Sequence, residues 1–294
     1  MCELTTDSPT GHPQIRYNPH MKHIQNLIID MDGVLWHGNT PLPGLAEFFE
    51  TLRRLHINFV LATNNASKTP AAYKKKLADF GVEIDSYHIL NSAEATAQYV
   101  RGRHEAGTAV YIVGDVGLHE AMKAQGFRIL TADEVFAGET AVVVTVGFSQ
   151  TVTYKELAAG AICVRKGAEF IGCNPDPSFP SEYGPLPGAG ALIAVIETAT
   201  SIKPTIIGKP GPTIFNEAMA RLQAKPEHTA MIGDRLATDI AGGKAASIQT
   251  ILVLSGITQK EDLNGSDLQP DYIMADIIEV AARLEAAQQH AVQS

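Results

Sequence analysis

Two aspartates at alternate positions, Asp30 and Asp32, close a short apolar run, Leu27 to Ile29, and Gly33 follows at once. An apolar run that ends in a turn signal reads as a buried strand. A carboxylate at the end of such a strand is costly to bury unless something pairs with it. Two of them, close enough to repel, ask for a cation, and the chemistry this suits is phosphoryl transfer. An aspartate can attack phosphorus and carry the group as an aspartyl phosphate. A carboxylic acid two residues on can protonate the leaving oxygen and then deprotonate the attacking water. Mg²⁺ takes hard oxygen ligands, and one or two carboxylates usually suffice for it.

Three further strand ends carry polar groups. Ile57 to Ala62 runs into Thr63-Asn64-Asn65, Thr205 to Gly208 into Lys209-Pro210, and Thr229 to Ile232 into Gly233-Asp234, with Asp239 beyond. A Thr hydroxyl and nearby backbone N–H groups can hold phosphoryl oxygens, and a lysine neutralises charge that builds up in transfer. Each piece alone is ordinary. Asp-x-Asp-Gly occurs in turns and calcium loops, Thr-Asn-Asn is a polar turn, most lysines are solvated, and Asp234 with Asp239 could cap a helix. The calcium-loop alternative fails, because the helix–loop–helix spacing and the bidentate Glu are absent. The ordered set, each member at a strand end, says more than any member does.

The elements that must position these groups alternate. Pro43-Gly44 opens a helix with Leu45, Phe48, Phe49, Leu52 and Leu55 on one face. Thr69-Pro70 opens another, with Tyr73, Leu77 and Phe80 inward and Gly81 as its stop. Pro212 opens a third, with Phe215, Met219 and Leu222 inward, and residues 276–289 make a closing helix. Strand and helix in turn, with short links, predict an α/β fold with a doubly wound, mostly parallel sheet. In such sheets the ligand crevice lies beyond the strand C-termini, where residues far apart in sequence converge. From about residue 86 the alternation continues with fewer polar strand ends. The strands expected there are Ala109 to Val113, Ala141 to Gly147 and Glu169 to Gly172, with helices over 117–125, 153–164 and 191–199. The Gly- and Pro-rich stretch 172–190 reads as a long functional loop. Gly114-Asp-Val-Gly lacks the third glycine of a dinucleotide loop and reads as a turn. Trp36 and His37 either pack or line an entrance.

The set resembles the haloacid dehalogenase superfamily of aspartate-nucleophile phosphatases. Asp30-Met-Asp-Gly-Val-Leu is similar to its first motif, Thr63-Asn-Asn to its second, Lys209 to its third and Gly233-Asp-Arg-Leu-Ala-Thr-Asp to its fourth. More narrowly, Ala62-Thr-Asn-Asn-Ala-Ser, Asn174-Pro-Asp, Pro187-Gly-Ala-Gly and Ile207-Gly-Lys-Pro resemble the NagD-like, p-nitrophenylphosphatase-type branch, class IIA. The resemblance implies that Asp30 is nucleophile and metal ligand, and that Asp32 is general acid–base and a ligand through its carbonyl. It implies that Asp234 completes the Mg²⁺ ligands, with Asp239 behind them. Thr63, Asn64 and Lys209 would hold the phosphoryl group, with Asn65 nearby. Residues 24–85 and 203–294 would form the catalytic core, and 86–202 an inserted α/β cap that selects the leaving group. Many members of the branch are homodimers. Two positions depart from its pattern: Ser149 follows Gly147-Phe148 where an acid is common, and Phe179 aligns with a histidine that touches the substrate in pyridoxal-phosphate phosphatases. The second departure counts against vitamin B6 phosphate as the dedicated substrate.

At 294 residues the chain makes one large or two modest domains, and its formal charge of −9 argues against nucleic acid or an anionic membrane as partner. Cys2, Cys163 and Cys173 show no metal spacing and point to a reducing, cytoplasmic setting. No stretch approaches a membrane span. The expected activity is hydrolysis of small phosphorylated metabolites, sugar phosphates or nucleoside monophosphates, with p-nitrophenyl phosphate as an artificial substrate. The rivals are a phosphotransferase or phosphomutase on the same core and a non-enzymatic phospho-acceptor domain. Residues 1–23 are polar and without period and read as a mobile arm, with Met21 near the start of the folded part. Truncation of residues 1–20 is expected to leave turnover unchanged, and an inactive truncated protein would refute that reading.

Overall fold

A computed structural model describes residues 21–179 and 183–292, so residues 1–20 of the expected arm lie outside the described residues. Met21, placed in that arm by its sequence, is buried in the core together with Ile24. The first part of the chain runs β1 (Asn26–Ile29), a small hairpin of β2 (Trp36–His37) and β3 (Thr40–Pro41), α1 (Leu45–Arg54), β4 (Asn58–Thr63), α2 (Pro70–Asp79), β5 (Ile89–Asn91) and α3 (Ser92–Arg101). The middle runs β6 (Ala109–Val113), α4 (Val116–Ala124), β7 (Arg128–Leu130), α5 (Ala132–Phe136), β8 (Val143–Val146), α6 (Tyr154–Arg165), β9 (Glu169–Gly172), the hairpin β10 (Ser178–Phe179) and β11 (Leu186–Pro187), α7 (Ala189–Thr200) and β12 (Thr205–Ile206). The chain closes with α8 (Pro212–Leu222), β13 (Thr229–Gly233), α9 (Ala241–Ala245), β14 (Gln249–Val253), β15 (Tyr272–Met274) and α10 (Ile277–Val292).

Two parallel sheets result. The first has the order β15-β14-β13-β1-β4-β5, and every pairing in it is parallel. Its strand order reverses between β1 and β13, which puts the switch point of the sheet directly beside Asp30 and Asp234. The second sheet, β12-β9-β8-β6-β7, is also parallel throughout and lies in sequence between two parts of the first. The strand pairings cross the boundaries expected at 86 and 202. Ile89–Asn91 pairs with Leu61–Thr63 in the first sheet, and Thr205–Ile206 pairs with Ile171–Gly172 in the second. Strands of three and two residues are too short to carry a period that would place them. The stretch 172–190, expected as a long functional loop, contains the β10–β11 hairpin.

Side chains alternate across the first sheet as a strand period of two requires. Leu27, Ile29, Phe59, Leu61, Ile251 and Val253 face one way, into a cluster with α1, α2 and α10. Ile28, Val60, Ala62 and Met231 face the other way, into a cluster with α3 and α8. That second cluster does not end at the first sheet. It continues through Leu118 and Met122 of α4 to Val110, Ile112, Val143 and Ile171 of the second sheet. The opposite face of the second sheet packs Tyr111, Val113, Val144, Val146 and Phe170 against α6 and α7. Cys163 and Cys173 are buried free thiols. Among the described residues no helix is long and apolar enough to cross a membrane.

Asp271 ties β14 to α9 at the edge of the first sheet. Its carboxylate accepts the Thr250 N–H at 2.8 Å and the Thr250 hydroxyl at 2.8 Å, and pairs with Lys244 Nζ at 2.5 Å. Burial works against the charged form, but Lys244 and Thr250 together hold its pKa below the usual aspartate value. A depressed carboxylate stabilises the fold fully above the unfolded value of about 3.9 and loses that contribution as pH falls through the folded value. Asp271→Asn is therefore expected to lower Tm at pH 7. The difference from wild type should be full above about pH 4 and shrink as pH falls through the depressed folded value, measured by thermal melts across pH.

Candidate active site

The buried carboxylates lie at the C-terminal end of the first sheet. Asp30 follows β1 and its N–H donates to Ile232 O at 2.8 Å, which fixes it against β13. Asp234 follows β13, and Asp239 lies in the helical turn Leu236–Ile240. One carboxylate oxygen from each of Asp30, Asp234 and Asp239 lies within 4.8 Å of the other two, and all three residues are buried. Lys209 reaches into this group. Its Nζ lies 2.7 Å from Asp30 Oδ1 and 2.8 Å from Asp239 Oδ1, and donates to Ala62 O at 3.1 Å. Burial alone would strip the proton from Lys209, but the carboxylates of Asp239 and Asp30 outweigh it and hold the ammonium well above its usual range. Burial pushes Asp239 and Asp234 up, with Lys209 opposing the shift in both and the Ile257 N–H opposing it in Asp234.

Three carboxylates against one ammonium leave an excess of negative charge in a buried space. Asp234 shows where a cation would be received. Its Oδ2 accepts the Ile257 N–H at 2.8 Å, while its Oδ1 is buried and has no hydrogen-bond partner. Asp239 is differently placed, since Oδ2 takes the Arg235 N–H at 3.1 Å and Oδ1 faces Lys209. Hard carboxylate oxygens with an orphaned one among them fit Mg²⁺. The backbone is packed tightly round Asp234. A Cβ on Gly33, which has φ +85°, would lie 2.4 Å from Asp234 Oδ2, and one on Gly256 would lie 2.1 Å from it. Gly233 is equally constrained, by the Cβ of Asp239 at 2.2 Å.

The remaining expected site residues divide. Thr63 is buried at the end of β4, and its hydroxyl accepts the Asn65 N–H at 3.2 Å. Asn65 is exposed and closes a turn onto Ser67 through its own Oδ1. Asn64 was expected to touch the phosphoryl group, but its side chain is fully engaged elsewhere. Its Oδ1 accepts the Lys209 N–H at 2.8 Å, and its Nδ2 donates to Lys209 O at 2.8 Å. Its backbone carbonyl takes Ser92 Oγ and Asn174 Nδ2, both at 2.6 Å. The reason is steric as well as polar, because the side chain is wedged against the Gly208 backbone, where a Cβ would sit 2.6 Å from Asn64 Oδ1. Asn64 is thus a clip that sets Lys209. Asp32 is exposed and lies outside the buried trio, and its Oδ1 accepts Trp36 Nε1–H at 2.8 Å.

Asp176 was missed as a site residue. It lies 3.3 Å from Asn64 Nδ2 through its Oδ2, and burial raises its carboxyl while Asn64, Arg235 and Lys209 oppose the shift. Asn174-Pro-Asp marks the place in the sequence, but nothing in that triplet says which carboxylate turns inward. Ser255 and Gly256 were missed too. They follow β14, so the rule of polar strand ends would have found them.

A family model for haloacid dehalogenase-like hydrolases matches residues 27–128, and a second, HAD-hydrolase-like model matches residues 206–280. The chain is 36% identical over 265 residues to an acid sugar phosphatase of Staphylococcus epidermidis, which covers 90% of this chain and all of that relative. The chain belongs to the haloacid dehalogenase superfamily. Within it, the chain is similar to the 5′-nucleotidase YutF of Bacillus subtilis, 33% identical over 259 residues, 88% of this chain and 98% of that one. It is also similar to the solved glycerol phosphate phosphatase from Mycobacterium tuberculosis in complex with magnesium. There the TM-score is 0.80 at 31% identity, over 89% of this chain and 78% of that one. These likenesses put it among the class IIA phosphatases of the superfamily.

The clip and the glycine wall can be tested in this haloacid dehalogenase-like phosphatase. Gly256→Ala is expected to displace Asp234 and to remove at least about 99% of turnover while circular dichroism stays native, since a lost electrostatic group costs about 3–4 kcal/mol. Asn64→Ala frees both the N–H and the carbonyl of Lys209. It should lower stability by about 1–3 kcal/mol in denaturant melts and slow turnover with it.

Proposed function

We propose that the chain is a Mg²⁺-dependent phosphomonoester hydrolase that works through an aspartyl phosphate on Asp30. The observation that carries this is the buried trio of Asp30, Asp234 and Asp239 bridged by Lys209, with ligand oxygens within 4.8 Å of one another. Asp30, Asp234 and the backbone carbonyl of Asp32 would hold the Mg²⁺, which when bound neutralises phosphoryl charge and leaves Asp30 free to attack an anion. A carboxylate oxygen of Asp30 forms a bond to phosphorus as the bond to the leaving oxygen breaks. Asp32 gives its proton to that oxygen. Water then attacks phosphorus, Asp32 takes its proton, and the bond from phosphorus to Asp30 breaks to free phosphate and restore the enzyme. Lys209 meets the charge that builds on the transferring group, and Asp239 keeps Lys209 protonated and in place. Thr63 and the backbone N–H groups beside it would complete the phosphoryl cradle.

The substrates we assign are sugar phosphates and nucleoside monophosphates, in line with the names of the acid sugar phosphatase and 5′-nucleotidase relatives. The inserted unit would act as the cap over the leaving group, and a homodimer is the assembly we favour, in the cytoplasm. Release of inorganic phosphate from p-nitrophenyl phosphate with no acceptor added tests hydrolysis against phosphotransfer. Asp30→Asn is expected to lower kcat below about one thousandth of wild type with the fold intact, and near-normal turnover in that variant would overturn the mechanism. Chelation with EDTA should abolish activity, and Mg²⁺ should restore it and raise the stability of the folded state. Mg²⁺ at a hundred times its Kd stabilises by about 2.7 kcal/mol, which a thermal shift reads directly.

A further inference from the structure

Asp32 is an exposed side chain asked to hand over a proton in one direction. An exposed aspartate samples several rotamers, so something must hold this one, and among the described residues one side chain hydrogen-bonds to it. Trp36, fully buried, donates from Nε1 to Asp32 Oδ1 at 2.8 Å. The turn between the two residues is closed by its own backbone, with Gly33 N–H donating to Trp36 O at 2.8 Å. The indole is in turn fixed on three sides. It stacks on Tyr73 at 6.4 Å between centroids with planes 17° apart, and it meets Phe80 at 6.0 Å. Lys76 Nζ lies 4.0 Å over its ring and is anchored by donating to Gly38 O at 2.7 Å.

We propose that Trp36 is a positioning residue for the leaving-group step, holding Asp32 by its indole N–H with Lys76 over the ring. The inference rests on the reading of Asp32 as general acid–base. The indole nitrogen can only donate, so the oxygen it binds must remain an acceptor. The carboxyl plane of Asp32 is thereby fixed before substrate arrives. Preorganisation of this kind removes an ordering cost from the reaction step. The cation above the ring draws electron density from the indole and strengthens its N–H as a donor. The same residues could serve packing alone, and the two roles differ in what they do to different leaving groups.

p-Nitrophenolate departs without protonation, whereas an alkoxide does not. The quantity to measure is kcat/KM for an alkyl monoester such as glycerol phosphate, divided by kcat/KM for p-nitrophenyl phosphate. Trp36→Phe keeps an aromatic ring and removes the donor, and should lower this ratio by about tenfold or more. Trp36 is the single tryptophan of the chain. Biosynthetic replacement of tryptophan by benzothienylalanine therefore changes that site alone, exchanging N–H for sulfur at nearly constant shape. It should lower the ratio equally, and it carries the test if Trp36→Phe does not fold. An unchanged ratio, or equal slowing of both substrates, overturns the proposal. Asp32→Asn is the companion measurement. If it too leaves the ratio unchanged, the acid–base reading of Asp32 fails. If it lowers the ratio and neither change at Trp36 does, the positioning role alone fails.

Discussion

The site depends on one ammonium group. Asp30 and Asp239 are buried close together at the end of a parallel sheet, and Asp30 makes Asp239 costlier to ionise. Lys209 bonds to both, at 2.7 and 2.8 Å, and is itself almost wholly out of solvent. A buried charge pair of this kind is poor evidence for stability, because desolvation can consume what the Coulomb attraction returns. It is better understood as a device that fixes Asp30 in place. The rest of the constellation follows from where Lys209 must be. Asn64 holds both the backbone N–H and the backbone carbonyl of Lys209, and the Gly208 backbone passes too close to Asn64 for any side chain.

That arrangement joins parts of the chain that local sequence keeps apart. Asn64 comes from the end of β4, Asn174 and Asp176 from the inserted unit, Ser92 from the start of α3 and Lys209 from the return to the first sheet. The carbonyl of Asn64 receives two side-chain donors while its amide grips a third segment. One residue thus registers the inserted unit against the carboxylate centre.

Much of this was legible in the sequence. Strand and helix periods over residues 45–80 and 205–233 were clear because apolar spacing there is regular and glycine and proline mark the ends. The four polar strand ends pointed to one crevice because a parallel sheet places all its C-termini on one side. What could not be read were roles set by distant partners. Asn64 carries the polarity expected of a phosphate ligand, yet its hydrogen bonds go to a peptide 145 residues away, and no local pattern reports that. Trp36 read equally as packing or as lining an entrance, and only the direction of one N–H distinguishes its role. The short strands β5 and β15 and the β10–β11 hairpin escaped because two or three residues hold no period.

The apolar cluster that runs from the first sheet through α3, α4 and α8 into the inserted sheet bears on modularity. The insertion looks like a transplantable part, since it enters and leaves the first sheet's chain at two points. Its inner face, however, shares one apolar cluster with α3 and α8 through α4, so it is not a self-contained block. A chimaera that borrowed another relative's insertion would need the matching faces of those two helices as well. The outer face, packed on α5, α6 and α7, carries no such obligation, and there lineages are free to diverge without disturbing the carboxylate centre.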